Sequence, residues 1–266
     1  MTSQFATARR RLTENLKRVR GQIEAACTRA HRDPADVRVV AVTKYVDMDV
    51  LRQALELGLL DLGESRAQQL TQRAGMVHEH IERRAVLAGR KEKPLPRPRW
   101  HMVGHLQRNK IKLVLPWAEL IHSVDSMRLA EDLHEQARRL GRVADILLQV
   151  NTSGERSKWG VAVGAVPHLA EQFAQWPGIR LRGLMTMAPE DAKPNELRLF
   201  FERLHDVYED MRTEGLAGPT FNELSMGMSG DFETAIECGA TLVRIGHALF
   251  DGLTTMPPEG GQEPSD

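Results

Sequence analysis

The feature of this sequence that most constrains its fold is a unit that repeats eight times, in which a short apolar run is followed by a segment with helical spacing. Most of the apolar runs are continuous rather than alternating, which is typical of parallel strands covered on both faces. Eight such units predict an α/β protein built as a single (β/α)8 TIM barrel. The predicted strands lie at residues 37–43, 59–62, 100–103, 120–124, 144–150, 179–185, 221–224 and 241–245.

An open, doubly wound sheet is the competing fold, and it usually carries a glycine-rich turn after its first strand. Here the first strand runs directly into Val42-Thr43-Lys44-Tyr45, with no glycine, which favours the barrel. Helices are predicted between the strands at residues 49–57, 65–83, 107 onward, 126–140, 166–175, 196–213 and 232–238.

Three segments stand apart from the repeat. Apolar residues at helical spacing from Leu12 to Ala26 predict a helix that ends before Pro34. The basic, proline-rich residues 83–99 predict a mobile loop. We therefore divide the chain into an N-terminal helix packing on the barrel at 1–34, the barrel at 35–253 and a disordered tail at 254–266.

The composition narrows the class of protein. Lysine plus arginine total 36 and aspartate plus glutamate total 36, so net charge gives no argument for a nucleic-acid or membrane partner. No apolar run is long enough to span a membrane, and the first residues lack the core of a secretory signal. Cys27 and Cys238 show no metal-binding spacing. These features predict a cytoplasmic protein, and the lack of an extended apolar surface favours a monomer.

Polar residues follow the predicted strands at their carboxyl ends, where (β/α)8 barrels hold their active sites. Residues 225–231 combine two glycines with two serines after the seventh strand, and residues 244–247 add a glycine after the eighth. Open backbone amides suit an anion, and these two loops most often hold phosphate in such barrels. The alternative is that they are ordinary turn glycines and a serine helix cap.

Lys44 directly follows the buried first strand. A desolvated lysine amine can act as a nucleophile, whereas the alternative is a solvated lysine at the barrel mouth. A Schiff-base lysine facing a phosphate site suits two chemistries. One is bound pyridoxal 5′-phosphate (PLP), and the other is a class I aldolase acting on a sugar phosphate.

Arg244 helps to choose between bound PLP and a class I aldolase, because PLP sites use an Asp or Arg partner at the pyridine nitrogen. An arginine leaves that nitrogen largely unprotonated, which makes the ring a weaker electron sink; the alternative is a structural arginine paired with a carboxylate. His101 and His105 share a strand face without metal-ligand spacing, so no zinc is expected. His105 is expected to approach the cofactor ring, and a structural role stays open for both histidines.

Stretches of the sequence match the motifs of one family in order, from the first strand to the last. They are AVTKYVD (41–47), LGES (62–65), WHMVGHLQRNK (100–110), IHSVDS (121–126), LLQVNTSGERSKWGV (147–161), GLMTMAP (183–189) and LSMGMSGDFETAIECGATLVRIGHALFDG (224–252). With these motifs the chain resembles the pyridoxal phosphate homeostasis proteins, single-domain relatives of the N-terminal barrel of alanine racemase.

The resemblance implies a barrel of PLP fold type III without the C-terminal β domain, and a role in PLP (vitamin B6) homeostasis without robust catalytic turnover. It implies a Schiff base on Lys44 and a contact from Arg244 to the pyridine nitrogen. PLP-dependent apoenzymes are candidate partners. The implied phosphate contacts are Ser225, Met226, Ser229, Gly246 and the backbone of His247.

The sequence departs from the family pattern at three places. Ser65 stands where asparagine is usual, which puts its contact with the cofactor in doubt. His247 stands where serine or threonine is usual, so a backbone contact to phosphate survives but a hydroxyl contact does not. The basic stretch before Trp100 is longer than usual.

A PLP-dependent racemase or lyase is the enzymatic alternative. Racemase-type relatives take a second acid/base group from an additional C-terminal β domain, for which the residues after the eighth strand leave no room. Tyr45 follows the lysine and Tyr208 lies in a predicted outer helix, so neither tyrosine is an evident second base. A non-catalytic PLP carrier is therefore expected, with residual racemase-like activity left open.

Overall fold

A closed ring of parallel strands forms the centre of the molecule, whose computed structural model describes residues 2–88, 96–155, 159–189, 191–216 and 218–254. The strands are β1 (Arg38–Val42), β2 (Asp61–Glu64), β3 (Arg99–Met102), β4 (Ala118–Val124), β5 (Ala144–Asn151), β6 (Val161–Ala162), β7 (Ile179–Met185), β8 (Glu223–Ser225) and β9 (Leu242–Ile245). The ring runs β1-β2-β3-β4-β5-β7-β8-β9 and closes where β9 pairs with β1. The predicted (β/α)8 barrel is thus confirmed. The short β6 pairs with β5 outside the ring, so the seventh and eighth predicted strands are β8 and β9.

Helices cover the outside of the ring. They are α1 (Thr2–Arg29), α2 (Met48–Glu56), α3 (Ala67–Ala88), α4 (Ile111–Val114), α5 (Met127–Arg139), α6 (Val166–Ala174), α7 (Pro194–Thr213), α8 (Phe232–Glu237) and α9 (His247–Phe250). The first of them, α1, precedes the barrel and packs against α2, α8 and α9. None of the helices in the described ranges is long and apolar enough to cross a membrane.

Strand alternation sorts the apolar side chains into two layers. The larger layer fills the space between the ring and the helices. Because the strands are buried on both faces, their apolar runs are continuous in the sequence. The smaller layer lies inside the ring and consists of Val40, Val103, Leu120, Leu147, Met185 and Leu242.

Ion pairs occupy the amino-terminal end of the ring. Asp61, the first residue of β2, accepts hydrogen bonds of 2.7 and 2.6 Å from Arg99, the first residue of β3. Asp145 near the start of β5 likewise accepts hydrogen bonds from Arg180 and Arg182 of β7. The bidentate geometry satisfies both oxygens of each buried carboxylate.

The start of β2 differs from the sequence prediction by two residues. Gly58 takes a positive φ of 86°, and the amide of Leu59 then closes α2 by donating to the carbonyl of Ala54. This αL ending satisfies carbonyl groups at the end of the helix. The strand therefore begins at Asp61 rather than at Leu59.

The helix α3 continues to Ala88, whereas the sequence predicts a loop from residue 83. Arg83 pairs with Glu79 one turn earlier, at 2.6 Å, and no proline or glycine interrupts the segment before Gly89. Residues 89–95 of the predicted loop and residues 255–266 of the predicted tail lie outside the described residues.

Asn15 is expected to hold α1 on the barrel. Its buried side chain donates 3.0 Å hydrogen bonds to the carbonyl oxygens of Leu249 and Asp251. Asn15→Ala leaves the Leu249 carbonyl without its donor and leaves the Asp251 carbonyl only a 3.3 Å hydrogen bond from Arg11, so the free energy of unfolding should fall by about 1–3 kcal/mol in denaturant titrations. Thr13→Ala, an exposed position on the same helix, is the control. Equal effects of the two substitutions would contradict this role of Asn15.

Candidate functional site

Lys44 lies at the mouth of the barrel, directly beyond β1. The Thr43 amide donates to the carbonyl of Gly63 at 2.9 Å, so the backbone stays in the sheet up to Lys44. Because side chains alternate between the two faces of a strand, Lys44 lies on the same face as Val42, which packs against the apolar cluster inside the ring. The side chain is half-buried, and Nζ lies 4.6 Å from the centroid of the Tyr45 ring. Within the described residues its amine has no hydrogen bond or ion pair, which leaves it available to react.

A fully buried carboxylate, Glu64, anchors the end of β1 from the helix side. Its Oε1 accepts a 2.5 Å hydrogen bond from Thr43 and lies 3.2 Å from Nη1 of Arg73. Arg73 also donates to the carbonyl oxygens of Thr43 and Val46. Burial raises the pKa of Glu64, and the positive charge of Arg73 opposes that rise. These contacts fix the backbone on both sides of Lys44.

Arg244 is buried inside the ring near the end of β9. Its Nη1 donates to Ser225 Oγ at 2.7 Å, and its Nη2 donates to the carbonyl of Thr186 at 2.9 Å. Burial lowers the pKa of Arg244 to about 10, and the negative charge of Asp231 opposes that shift. The guanidinium is therefore still charged at neutral pH. No carboxylate in the described ranges forms an ion pair with it, so the alternative of a carboxylate-paired arginine is not what the structure shows.

The loops after β8 and β9 meet beside the end of β1. Ser229 Oγ accepts a 3.1 Å hydrogen bond from the Ala248 amide, so its hydroxyl hydrogen remains able to donate. A Cβ on Gly246 would lie 3.2 Å from the carbonyl oxygen of Val42, so the glycine lets the two strand ends lie close together. His247 follows as an exposed residue that begins α9.

Met226 differs from the other predicted phosphate contacts. Its amide donates to the carbonyl of Leu242 at 3.1 Å, and its side chain is fully buried in the outer core. Gly227 then turns the chain with a φ of 91°, where a Cβ would lie 2.6 Å from the Cβ of Ala235. The Met226 amide therefore has no free donor for a phosphate, because it is already used in the sheet.

Ser65 and His105 lie at the mouth between β2 and β4. A Cβ on Gly104 would lie 2.3 Å from the carbonyl oxygen of Ser65, so this glycine permits a close approach of the two loops. The exposed His105 ring lies 4.2 Å from the Trp159 ring, centroid to centroid, with its Nδ1 3.3 Å from Oδ2 of the buried Asp125. The cofactor contacts predicted for Ser65 and His105 stay predictions.

His101 lies deep inside the ring rather than at the strand ends. Its Nδ1 is 2.9 Å from Nε2 of His122, and its Nε2 is 3.0 Å from Oδ1 of Asp61. The Nδ1 of His122 is in turn 2.9 Å from Ser225 Oγ. Sequence reasoning missed His122, although alternation from the inward-facing Leu120 would have indicated its direction. No three His, Cys, Asp or Glu side chains among the described residues are arranged so that they could hold a metal ion.

A cavity of about 850 Å³ opens at the opposite, amino-terminal face of the barrel. Tyr208 and Cys238 line it, and burial raises the pKa of both groups, that of Cys238 to about 11. None of the predicted cofactor contacts lines this cavity. Tyr208 therefore lies away from Lys44, in agreement with its placement on an outer helix.

One mouth of the (β/α)8 barrel brings together Lys44, the buried Arg244 and two glycine-containing loops, and the barrel itself defines the class of the protein. The family model for the alanine racemase N-terminal domain matches residues 11–253 of the chain. The barrel class rests on this match together with the closed ring of parallel strands.

Curated relatives give the family within that class. The chain is 38% identical over 239 residues to the pyridoxal phosphate homeostasis protein of Pseudomonas aeruginosa, which covers 90% of this chain and 94% of the relative. It is 36% identical over 238 residues to the protein of the same name from Aquifex aeolicus, which covers 89% and 96%. The chain belongs to the family of pyridoxal phosphate homeostasis proteins.

A solved structure similar to this chain contains PLP. The structure of PipY from Synechococcus elongatus with PLP bound superposes with a TM-score of 0.70 at 29% identity, covering 86% of this chain and 99% of PipY. The two chains thus share the barrel over nearly the whole length of PipY.

The Asp61 carboxylate is expected to make stability depend on pH. Burial alone would raise its pKa, but hydrogen bonds from Arg99 and His101 outweigh burial and hold the pKa below the usual range. A lowered pKa means that the stabilisation is present above the ordinary aspartate pKa and is lost as the pH falls toward the pKa in the folded protein.

Asp61→Asn should therefore lower the free energy of unfolding at pH 7 by about 1.5–3 kcal/mol, as for hydrogen bonds to a charged group. The difference from the wild type should shrink below about pH 4, where the carboxylate of the unfolded chain takes up its proton. Urea titrations across this range measure it, with the exposed Asp49→Asn as control. A difference that does not change with pH would contradict the assignment.

Proposed function

We propose that this protein binds PLP as a Schiff base on Lys44 and serves PLP homeostasis as a carrier. The observation that carries the proposal is the half-buried Lys44, whose amine has no partner among the described residues and which follows Val42, the neighbour of Gly246. PLP supplies an electrophilic aldehyde that reacts reversibly with amines. A protein that holds this aldehyde on a lysine both stores PLP and keeps it from other cellular amines. The names of the curated relatives and the PLP-bound PipY structure support the same role.

The phosphate would bind at the junction of the loops after β8 and β9. Ser229 has a hydroxyl hydrogen to donate, and Gly246 and the backbone of His247 lie at the start of α9, ahead of the Leu249 and Phe250 amides that donate to the Gly246 carbonyl. The first amide of a helix has no partner four residues earlier within the helix, so the His247 amide suits a phosphate oxygen. Ser225 contributes through Arg244 rather than directly, because its hydroxyl oxygen already accepts from the guanidinium. The predicted contact from Met226 has least support, since its amide is used in the sheet.

Arg244 would meet the pyridine nitrogen of PLP. Two of its N–H groups are bound to Ser225 and Thr186, and the others remain for the ring. A permanent cation does not stabilise a protonated ring nitrogen, so the bound cofactor would be a weak electron sink. This favours storage over chemistry at the amino-acid α-carbon.

The enzymatic alternative, a PLP-dependent racemase or lyase, lacks an evident second acid/base group in the described barrel. Tyr208 stacks on Phe221 at 5.2 Å, away from the mouth, and Tyr45 lies beside the lysine itself. His105 is the residue predicted to approach the PLP ring that could transfer a proton. Its imidazole already contacts Asp125 and Trp159. We therefore infer a carrier without robust turnover.

We further infer a cytoplasmic monomer that delivers PLP to PLP-dependent apoenzymes. Cys27 and Cys238 are both free and buried, which suits a reducing compartment. Size-exclusion chromatography with light scattering tests the monomer, since a stable dimer at micromolar concentration would contradict it.

Lys44→Ala should abolish the covalent attachment of PLP. Wild-type protein mixed with PLP should develop a Schiff-base absorbance band that borohydride removes, and the variant should lack this band because it has no amine at the end of β1. Lys17→Ala, on the exposed face of α1, should keep the band. Loss of the band in both variants, or in neither, would refute Lys44 as the attachment site.

Incubation with L-alanine separates the carrier from the racemase. Without a second acid/base group across the ring, the PLP-loaded protein should leave the optical rotation of L-alanine unchanged over many hours. Polarimetry measures this directly, and an alanine racemase serves as the positive control. Sustained loss of optical activity that Lys44→Ala eliminates would instead establish an enzyme.

A further inference from the structure

A continuous row of hydrogen bonds crosses the interior of the barrel from Arg244 to Asp61. Arg244 contacts Ser225 Oγ at 2.7 Å, and Ser225 Oγ contacts Nδ1 of His122 at 2.9 Å. The two imidazoles are joined at 2.9 Å, and His101 reaches Asp61 at 3.0 Å. The row links the mouth of the barrel, at the end of β8, with its amino-terminal end, at the start of β2.

The two ends of this row fix the direction of every hydrogen bond in it. An arginine can only donate, so Ser225 Oγ accepts from Arg244 and has its own hydrogen left to donate to Nδ1 of His122. His122 is then protonated at Nε2 and donates to Nδ1 of His101. His101 in turn donates from Nε2 to Asp61, whose carboxylate can only accept.

The opposite tautomers would leave a buried group unpaired. With the hydrogen on Nδ1, His122 would donate to Ser225 Oγ, and the Ser225 hydroxyl would then have no acceptor among the described residues. A buried polar group without a partner is costly. A second proton on His122 is also disfavoured, because burial, reinforced by the positive charge of Arg244, holds its pKa well below the usual range.

We propose that Asp61, His101 and His122 are positioning residues for Arg244. The row draws the Ser225 hydrogen away from Arg244, so the serine oxygen is a stronger acceptor for the guanidinium. With the Thr186 carbonyl on its other nitrogen, the guanidinium is held in one plane without a carboxylate partner among the described residues. That Arg244 then faces the pyridine nitrogen of PLP rests on the proposed function.

Nitrogen-15 NMR of the protein without PLP tests the row itself. The ring-nitrogen shifts of His101 and His122 separate protonated from unprotonated nitrogens. Both histidines should be neutral, with the hydrogen on Nε2 and with Nδ1 unprotonated. A hydrogen on Nδ1 of His122, or a doubly protonated His101, would overturn the proposal. This result needs no variant and no cofactor.

PLP titration of His122→Leu tests the effect on Arg244. The substitution keeps an apolar filling but removes the acceptor for the Ser225 hydrogen, so the Kd for PLP should rise about tenfold, as for loss of a hydrogen bond to a charged group. The control is Leu120→Ala, which perturbs packing on the same inward face of β4 beside His101 but removes no hydrogen-bonding atom of the row, and it should change Kd by less than about threefold.

Equal rises in Kd for the two variants would overturn the positioning role, because packing alone would then account for both. Circular dichroism verifies that each variant is folded, and if His122→Leu does not fold, the nitrogen shifts of the wild type still decide the proposal. Wild-type protein that binds no PLP would contradict the proposed function instead, and the NMR outcome would remain separate from it.

Discussion

The pairing of β9 with β1 is the constraint on which the rest of the molecule depends, because it closes the sheet into a ring. Val40 pairs with Arg244 and Ala41 with Ile245, so the residues that follow both strands emerge side by side. Lys44 and Gly246 are thereby brought together although 202 positions separate them in the sequence. The candidate site follows from closure, since an open sheet would leave these two strand ends at opposite edges.

The polar interior distinguishes this barrel from one filled only with apolar side chains. A buried arginine with no carboxylate partner in the described ranges is unusual, because desolvation opposes its charge. The charge is instead supported by the serine hydroxyl and the backbone carbonyl of Thr186. Asp61 and Arg99, at the far end of the row, complete an arrangement in which each hydroxyl, imidazole and carboxylate of the row is oriented by a hydrogen-bond partner. Positioning and stability therefore use the same contacts.

The sequence alone predicts the eight strands and the part of the site that lies at their ends. Continuous apolar runs mark strands buried on both faces, and Lys44 is visible because it directly follows such a run. The row from Ser225 to Asp61 could not be predicted in the same way. Its members come from four different strands, and their contacts depend on the register between neighbours and on the inward direction of His122. The hydrogen bond from the Met226 amide to the Leu242 carbonyl could not be predicted for the same reason.

Peptide mapping after borohydride reduction tests the central claim most directly. Protein loaded with PLP is reduced, digested and analysed by mass spectrometry to find the residue that carries the phosphopyridoxyl group. The account predicts that Lys44 carries it at close to one group per chain. Modification spread over other lysines, or none at Lys44, would contradict the assignment of the site.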